Sequence, residues 1–377
     1  MSVYCPNKFD YLKVDIEKRL LYNCHKAHPH RVTTQWLEQN PGMLFNTETM
    51  IAERKEMLAG KRNFSCGFQC YDAEDKGAYS HRMQVLDTKK TEYTNPLSFV
   101  KTLNIDLSTD CNLSCVYCSG MFSSSWRREI KKFGTYSNIP KNYNDIVDKL
   151  SQKEKANAPF FQAFQKEIKK MKKLERVIIT GGEPFLTNQL DKILDLLDSK
   201  IVIDVITGLG VSKTRFNKVL PKLMERKVKI NISAEGLDKH LEFIRHGSNA
   251  DQFNSYIKTL ENNNIEYKFI CTVSNLTMFG LQDFYLKYNS IADLDYNPCQ
   301  YPPFTQKHII DPTSKKQMID FWGKRNDKFS NMVMTGLERN PNLNEMKKLQ
   351  IYLKQIRQRR NVSLDHFPKS FLDWLDL

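Results

Sequence analysis

From Val100 onward the chain alternates short apolar, β-branched runs with amphipathic stretches. "TLNIDL", "ERVIIT", "IVIDVIT", "VKINIS" and "YKFICTV" have the length and composition of strands, whereas "TNQLDKILDLLDS", "FNKVLPKLMERK" and "NSYIKTLENNN" carry helical spacing. Apolar strands separated by helices predict parallel β/α units, whose chemistry sits at the C-terminal ends of the strands. Past "DYNPCQYPP" the chain turns polar and helical, ending in "MKKLQIYLKQIRQRR" and "FPKSFLDWLDL". The first seventy residues show little of either period but hold Cys5, Cys24, Cys66 and Cys70, which predicts a small metal-stapled domain. The expected division is 1–95, 96–300 and 301–377, with no internal repeat.

At 377 residues the chain is long enough for two or three cores. No apolar run approaches a membrane span, and "MSVYCPNKFD" lacks the apolar core of a signal peptide, so a cytoplasmic protein without membrane association is expected. Nine cysteines without a secretory signal read as reduced thiols for metal or catalysis rather than disulfides. A net charge of +14 favours an anionic partner, although a solvated Lys-rich surface accounts for it equally.

"STDCNLSCVYCSG" places Cys111, Cys115 and Cys118 within eight residues. A structural zinc site takes four protein ligands. Three thiolates suit a cubane iron-sulfur cluster with one iron open to a further ligand. "VIITGGEPFL" ends an apolar strand in Gly181, Gly182, Glu183 and Pro184, where two glycines admit a ligand close to the backbone and Glu183 can accept from an ammonium. Each motif alone also fits a chance triplet or an ordinary β-α turn.

Taken together the two motifs resemble the CxxxCxΦC and GGEP signatures of the radical S-adenosylmethionine (radical SAM) superfamily. The resemblance implies a partial (β/α)6 TIM-type barrel in an α/β chain, with a 4Fe-4S cluster on Cys111, Cys115 and Cys118 and Tyr117 beside the adenine. It implies that Gly181, Gly182, Glu183 and Pro184 receive the methionyl amino group. "NISAEG" is similar to the family's SxDG strand end, which puts Ser233 near the ribose and Glu235 near the site, with Glu in place of the commoner Asp. "FIRHG" makes Arg245 the partner of the methionyl carboxylate. "VITGLG" stands where many relatives read Thr-Asn-Gly, leaving Thr207 as a candidate contact without the Asn.

The stretch from Cys5 to Cys24, then "SCGFQCYDAEDKGAYSHR", with Trp36, "ERKEMLAGKR" and the run Tyr71, Glu74, Gly77, Ser80 and Arg82, resembles the twitch module, a shortened relative of SPASM. Here it precedes the barrel, and a helical extension follows it. The resemblance implies a second 4Fe-4S cluster on Cys5, Cys24, Cys66 and Cys70. Zinc remains the alternative, as does a buried, non-ligating Cys5. Cys271 reads as a core residue. Cys299, in its Pro-rich loop, is a candidate hydrogen-atom donor.

The implied activity is reductive cleavage of S-adenosylmethionine to a 5′-deoxyadenosyl radical that abstracts hydrogen from a substrate C–H bond, with a reductant such as flavodoxin or ferredoxin as partner. The basic C-terminal helix favours a nucleotide or nucleic-acid base as substrate. Peptide or protein side-chain modification is the alternative, and a non-catalytic electron carrier the reading from another class.

Overall fold

The computed structural model describes residues 3–139 and 157–377. The chain divides into two compact units, one of Met1–Ser108, Gln152–Val205 and Val219–Val228, the other of Thr109–Ser151, Ile206–Lys218 and Lys229–Leu377.

In the first unit β1 (Tyr11–Asp15), β2 (Leu20–Tyr22) and β3 (His30–Arg31) form an antiparallel meander. Arg19, at φ 55, closes the turn into β2, and the Lys18 amide donates to Asp15 Oδ1 at 2.8 Å. β1 then pairs in parallel with β4 (Thr102–Asp106), Tyr11 opposite Thr102 and Asp15 opposite Asp106. β4 pairs in parallel with β5 (Arg176–Thr180), and β5 with the start of β6 (Val202–Thr207). Leu12, Val14, Leu103, Ile105, Val177, Ile179, Ile203 and Val205 are fully buried along these strands, the continuous apolar texture of strands covered on both faces.

The N-terminal region is therefore more regular than its sequence period suggests. Besides three strands it holds the helices Thr34–Gln39, Glu48–Leu58 and His81–Thr88, started by Thr33, Thr47 and Ser80 side chains that accept from amides three residues on. Their apolar faces are short, so the period is weak.

In the second unit β7 (Val228–Ser233), β8 (Glu266–Val273) and β9 (Leu294–Pro298) pair in parallel from Lys229 on. The strand order is β3-β2-β1-β4-β5-β6 in the first unit and β7-β8-β9 in the second, and β4 to β9 are the six strands expected of the β/α core. The C-terminal helices Leu343–Arg360 and Lys369–Trp374 do not stand apart. Leu349, Tyr352, Leu353, Ile356 and Phe371 join one core with Val116, Trp126 and Tyr136. Burying such a cluster is the main stabilising term available to this unit. Among the described residues no helix is long and apolar enough to cross a membrane.

Candidate functional site

The three-cysteine loop is held by the helix that follows it. Ser123 caps the helix Ser124–Phe133 and donates to Leu113 O at 2.6 Å, Trp126 Nε1 donates to Cys115 O at 2.9 Å, and Ser125 Oγ to Cys111 O at 3.0 Å. Amides of Ser114 and Val116 donate to His246 O and Ile244 O, and Tyr352 Oη donates to Val116 O at 2.5 Å. Gly247, at φ 99, permits this close pass, since a Cβ there would stand 2.8 Å from Asn112 O. None of the three cysteines is in a disulfide. Burial pushes Cys118 up to about 12, with Cys115 adding to the rise; burial also raises Cys115, against the pull of the Arg245 guanidinium. Such thiols stay protonated until a metal displaces the proton, which is how thiolate ligation couples to binding.

Four residues singled out separately in the sequence converge here. Tyr117 Oη donates to Glu235 Oε1 at 2.6 Å, Arg245 Nη2 donates to Glu235 Oε2 at 2.8 Å, and Arg245 Nη1 points to Cys115 Sγ at 3.8 Å. Glu235 is fully buried and Arg245 nearly so. Burial opposes the guanidinium charge, yet Glu235, Tyr117 and Cys115 together hold Arg245 protonated. Among the described residues its Nε has no partner, a buried donor left for a ligand acceptor. Ser233 ends β7 half-buried, opposite Ile270. Thr207 is buried, its Oγ1 accepting from the Leu209 amide at 2.9 Å in the turn after β6.

In the first unit β5 runs into Gly181, whose φ of +142 and hypothetical Cβ 2.6 Å from Ser108 O exclude any side chain. Gly182 N donates to Ser108 O at 2.7 Å. Glu183 is buried and accepts from the Phe185 amide at 3.2 Å, capping the 3-10 turn Pro184–Leu186. The sequence could not show that the glutamate also shapes its own turn.

Cys5, Cys24, Cys66 and Cys70, all free and buried, line one cavity together with Lys8, His81 and Arg82. Burial and the neighbouring Cys24 push Cys5 up to about 12. The flanking residues that carried the twitch likeness act as fasteners. Arg82 pairs with Glu74 and donates to Tyr4 O at 3.1 Å, Ser80 Oγ donates to Glu74, and Tyr71 Oη donates to Val3 O at 3.0 Å. They fix the segment bearing Cys5 against Cys66 and Cys70. Two features escaped the sequence. Lys8 is buried, donating to Asn23, Glu53 and Ser65. His25 and His81 place ring nitrogens with Cys24 Sγ within 4.8 Å of one another. The imidazole next to Cys24 in "NCHKAH" was the available signal. Burial holds His25 down at about 3, a neutral ring with a lone pair to give. The donor set of four thiols suits a cluster, and the two imidazoles keep zinc open as its competitor.

Cys271 lies fully buried in β8, as a core thiol should. Cys299 follows β9, its Sγ 3.2 Å from Thr305 Oγ1. The basic helix Leu343–Arg360 is less available than its sequence suggests. Arg360 is buried and pairs with Glu129 at 3.0 Å, and Arg359 donates to Gly134 O and Thr135 O, closing the helix Ser124–Phe133. Lys347, Lys354 and Arg357 remain exposed.

Residues 105–284 match the Radical SAM superfamily profile. No curated protein matches the chain. Among solved structures, native anSMEcpe with bound AdoMet aligns at 17% identity over 59% of this chain and 60% of that one, with a TM-score of 0.39. The same protein with AdoMet and the Kp18Cys peptide aligns at 16% identity over 62% of each chain, with a TM-score of 0.39. SuiB of Streptococcus suis bound to precursor peptide SuiA aligns at 15% identity over 96% of this chain and 71% of that one, with a TM-score of 0.34. The chain thus covers about three fifths of the length of the first of these.

Proposed function

The segment 105–284 is a radical SAM domain, and from that premise we propose that the chain cleaves S-adenosylmethionine reductively and directs the resulting radical at a C–H bond of a nucleotide or nucleic-acid base. Cys111, Cys115 and Cys118 would hold the 4Fe-4S cluster. Bound there, it would supply the single electron for reductive cleavage of the sulfonium to methionine and a 5′-deoxyadenosyl radical.

What this chain contributes is position. Arg245, held by Glu235, offers its Nε to the methionyl carboxylate and keeps a fixed positive charge beside Cys115. Tyr117 is oriented by its bond to Glu235 and is assigned the adenine. The Gly181–Pro184 turn is assigned the methionyl ammonium, Ser233 the ribose, and Thr207 a backbone-shaping contact after β6. Cys5, Cys24, Cys66 and Cys70 are assigned a second cluster that exchanges an electron with the product radical. Flavodoxin or ferredoxin is the expected reductant.

The observation that carries this reading is the buried Tyr117–Glu235–Arg245 chain ending at Cys115 Sγ. A cluster scaffold that only carried electrons would have no use for a buried, pre-charged guanidinium with a donor to spare. Anaerobic reconstitution followed by a measurement of 5′-deoxyadenosine tests it. Its absence under strong reductant favours the carrier reading, and its presence without any oligonucleotide binding moves the substrate to a peptide.

A further inference from the structure

At the C-terminal ends of β8 and β9 lies a cavity of about 240 Å3, lined by Val273, Tyr296, Cys299, Lys307, His308 and Arg339. Lys307 is only 9% exposed. Its Nζ donates to Tyr296 Oη at 2.8 Å and to Met332 O at 2.7 Å, both uncharged acceptors, and sits 4.7 Å from the Tyr296 ring centroid. Among the described residues neither Lys307 nor Arg339 forms an ion pair. Burial and the approach of Arg339 bring Lys307 down to about 8. The carboxylates that reach this neighbourhood are Glu345, which acts on His308, and Glu235, which acts on Cys299 and is already engaged by Arg245.

A buried ammonium with no counter-charge, next to a second cation, is costly to keep unless something anionic completes it. Burial raises the Cys299 thiol in this cavity, and the Glu235 carboxylate of the Tyr117–Glu235–Arg245 chain adds to that rise. The cavity's volume is about that of eight waters, room for a group rather than a whole ligand.

We infer that this cavity is an anion subsite in which Lys307 and Arg339 bind a phosphate or carboxylate group of the substrate and hold it beside Cys299. The inference rests on the radical SAM reading for the word substrate, but anion binding itself does not. A phosphate anchor would come from a nucleotide, a carboxylate anchor from an amino acid or acidic side chain, and the cavity's chemistry serves both.

The test uses the reconstituted full chain and inorganic phosphate, followed by the thermal midpoint of unfolding at constant ionic strength, with acetate as a parallel arm and chloride as reference. Phosphate or acetate raises the midpoint of the wild type, and the more effective anion names the source. Lys307→Met weakens the apparent anion affinity roughly tenfold or more, as expected for a lost charge-assisted contact, while in chloride it is at least as stable as the wild type because no buried charge remains. Arg339→Gln, at an exposed position, also weakens anion affinity, and Lys258→Gln, exposed and outside the cavity lining, leaves it intact. No anion effect in the wild type, or an effect in Lys307→Met and Arg339→Gln as large as in the wild type, overturns the subsite. Uncoupled deoxyadenosine formation by the wild type is read separately, so its absence would overturn the enzymatic reading without touching the anion titration.

Discussion

Arg245 Nη2 donates to Glu235 Oε2 at 2.8 Å with both side chains buried, so neither charge can lose the other without standing alone in the protein interior. Glu235→Gln should therefore destabilise the fold by roughly 3–5 kcal/mol, whereas the double change Glu235→Gln with Arg245→Met should recover much of that loss. Urea unfolding of the three proteins measures it. Equal stability of the single and double variants would mean that the pair is not coupled.

Iron content separates the two thiol groups. Reconstituted protein should bind about eight irons per chain, and Cys111→Ala, Cys115→Ala and Cys118→Ala together should leave about four. Iron and zinc are both assayed, since zinc retained in the triple variant would assign Cys24, His25 and His81 to that metal instead.

Cofactor cleavage should be abolished by Cys115→Ala and kept by Cys271→Ala. Glu183→Gln preserves an acceptor for the Phe185 amide while removing the charge, so it should raise the KM for S-adenosylmethionine about tenfold with unchanged iron. Loss of iron in that variant would make Glu183 a structural cap only.

Oligonucleotide binding should weaken steeply with salt, and neutralising Lys347, Lys354 and Arg357 should flatten the slope. Arg360→Gln should instead lower stability, because its guanidinium is tied to Glu129. The measurement is affinity across a salt series. An unchanged slope in the triple variant would move the footprint off this helix.

Acid sensitivity should trace to His240. Burial holds its imidazole at about 3, well below the ordinary histidine value. A depressed folded-state pKa means the full contribution is present above about 6.5 and is lost as pH falls toward 3, by up to ~1.4 kcal/mol per pH unit. Stability of the metal-free protein from pH 7 to 4 should show this, and His240→Phe should flatten the curve. The same slope in the variant would assign the loss to other groups.

The motifs legible in the sequence were those written locally. Cysteine spacing, the Gly181–Pro184 turn and the alternation of β4 to β8 need no knowledge of tertiary contacts. Tyr117, Glu235 and Arg245 were each marked, but the bond that joins Tyr117 to Glu235 spans more than a hundred residues and exists only once β7 is set. Lys8 and Lys307 were invisible, because a lysine reads as a surface charge until packing buries it. Arg359 and Arg360 erred the other way: their charge suggested a polyanion, and their partners are carbonyls and a carboxylate of this chain. β1 was missed because "YLKVD" is five residues long and its edge is satisfied by a strand far along the chain.

That pairing of β1 with β4 has a consequence for synthesis on the ribosome. Tyr11 emerges long before Thr102, its partner, so the segment carrying Cys5 and Cys24 waits with an open strand edge until β4 follows. Metal insertion at the N-terminal thiols is thereby tied to completion of the sheet, and a fragment ending before Thr102 should aggregate rather than load iron.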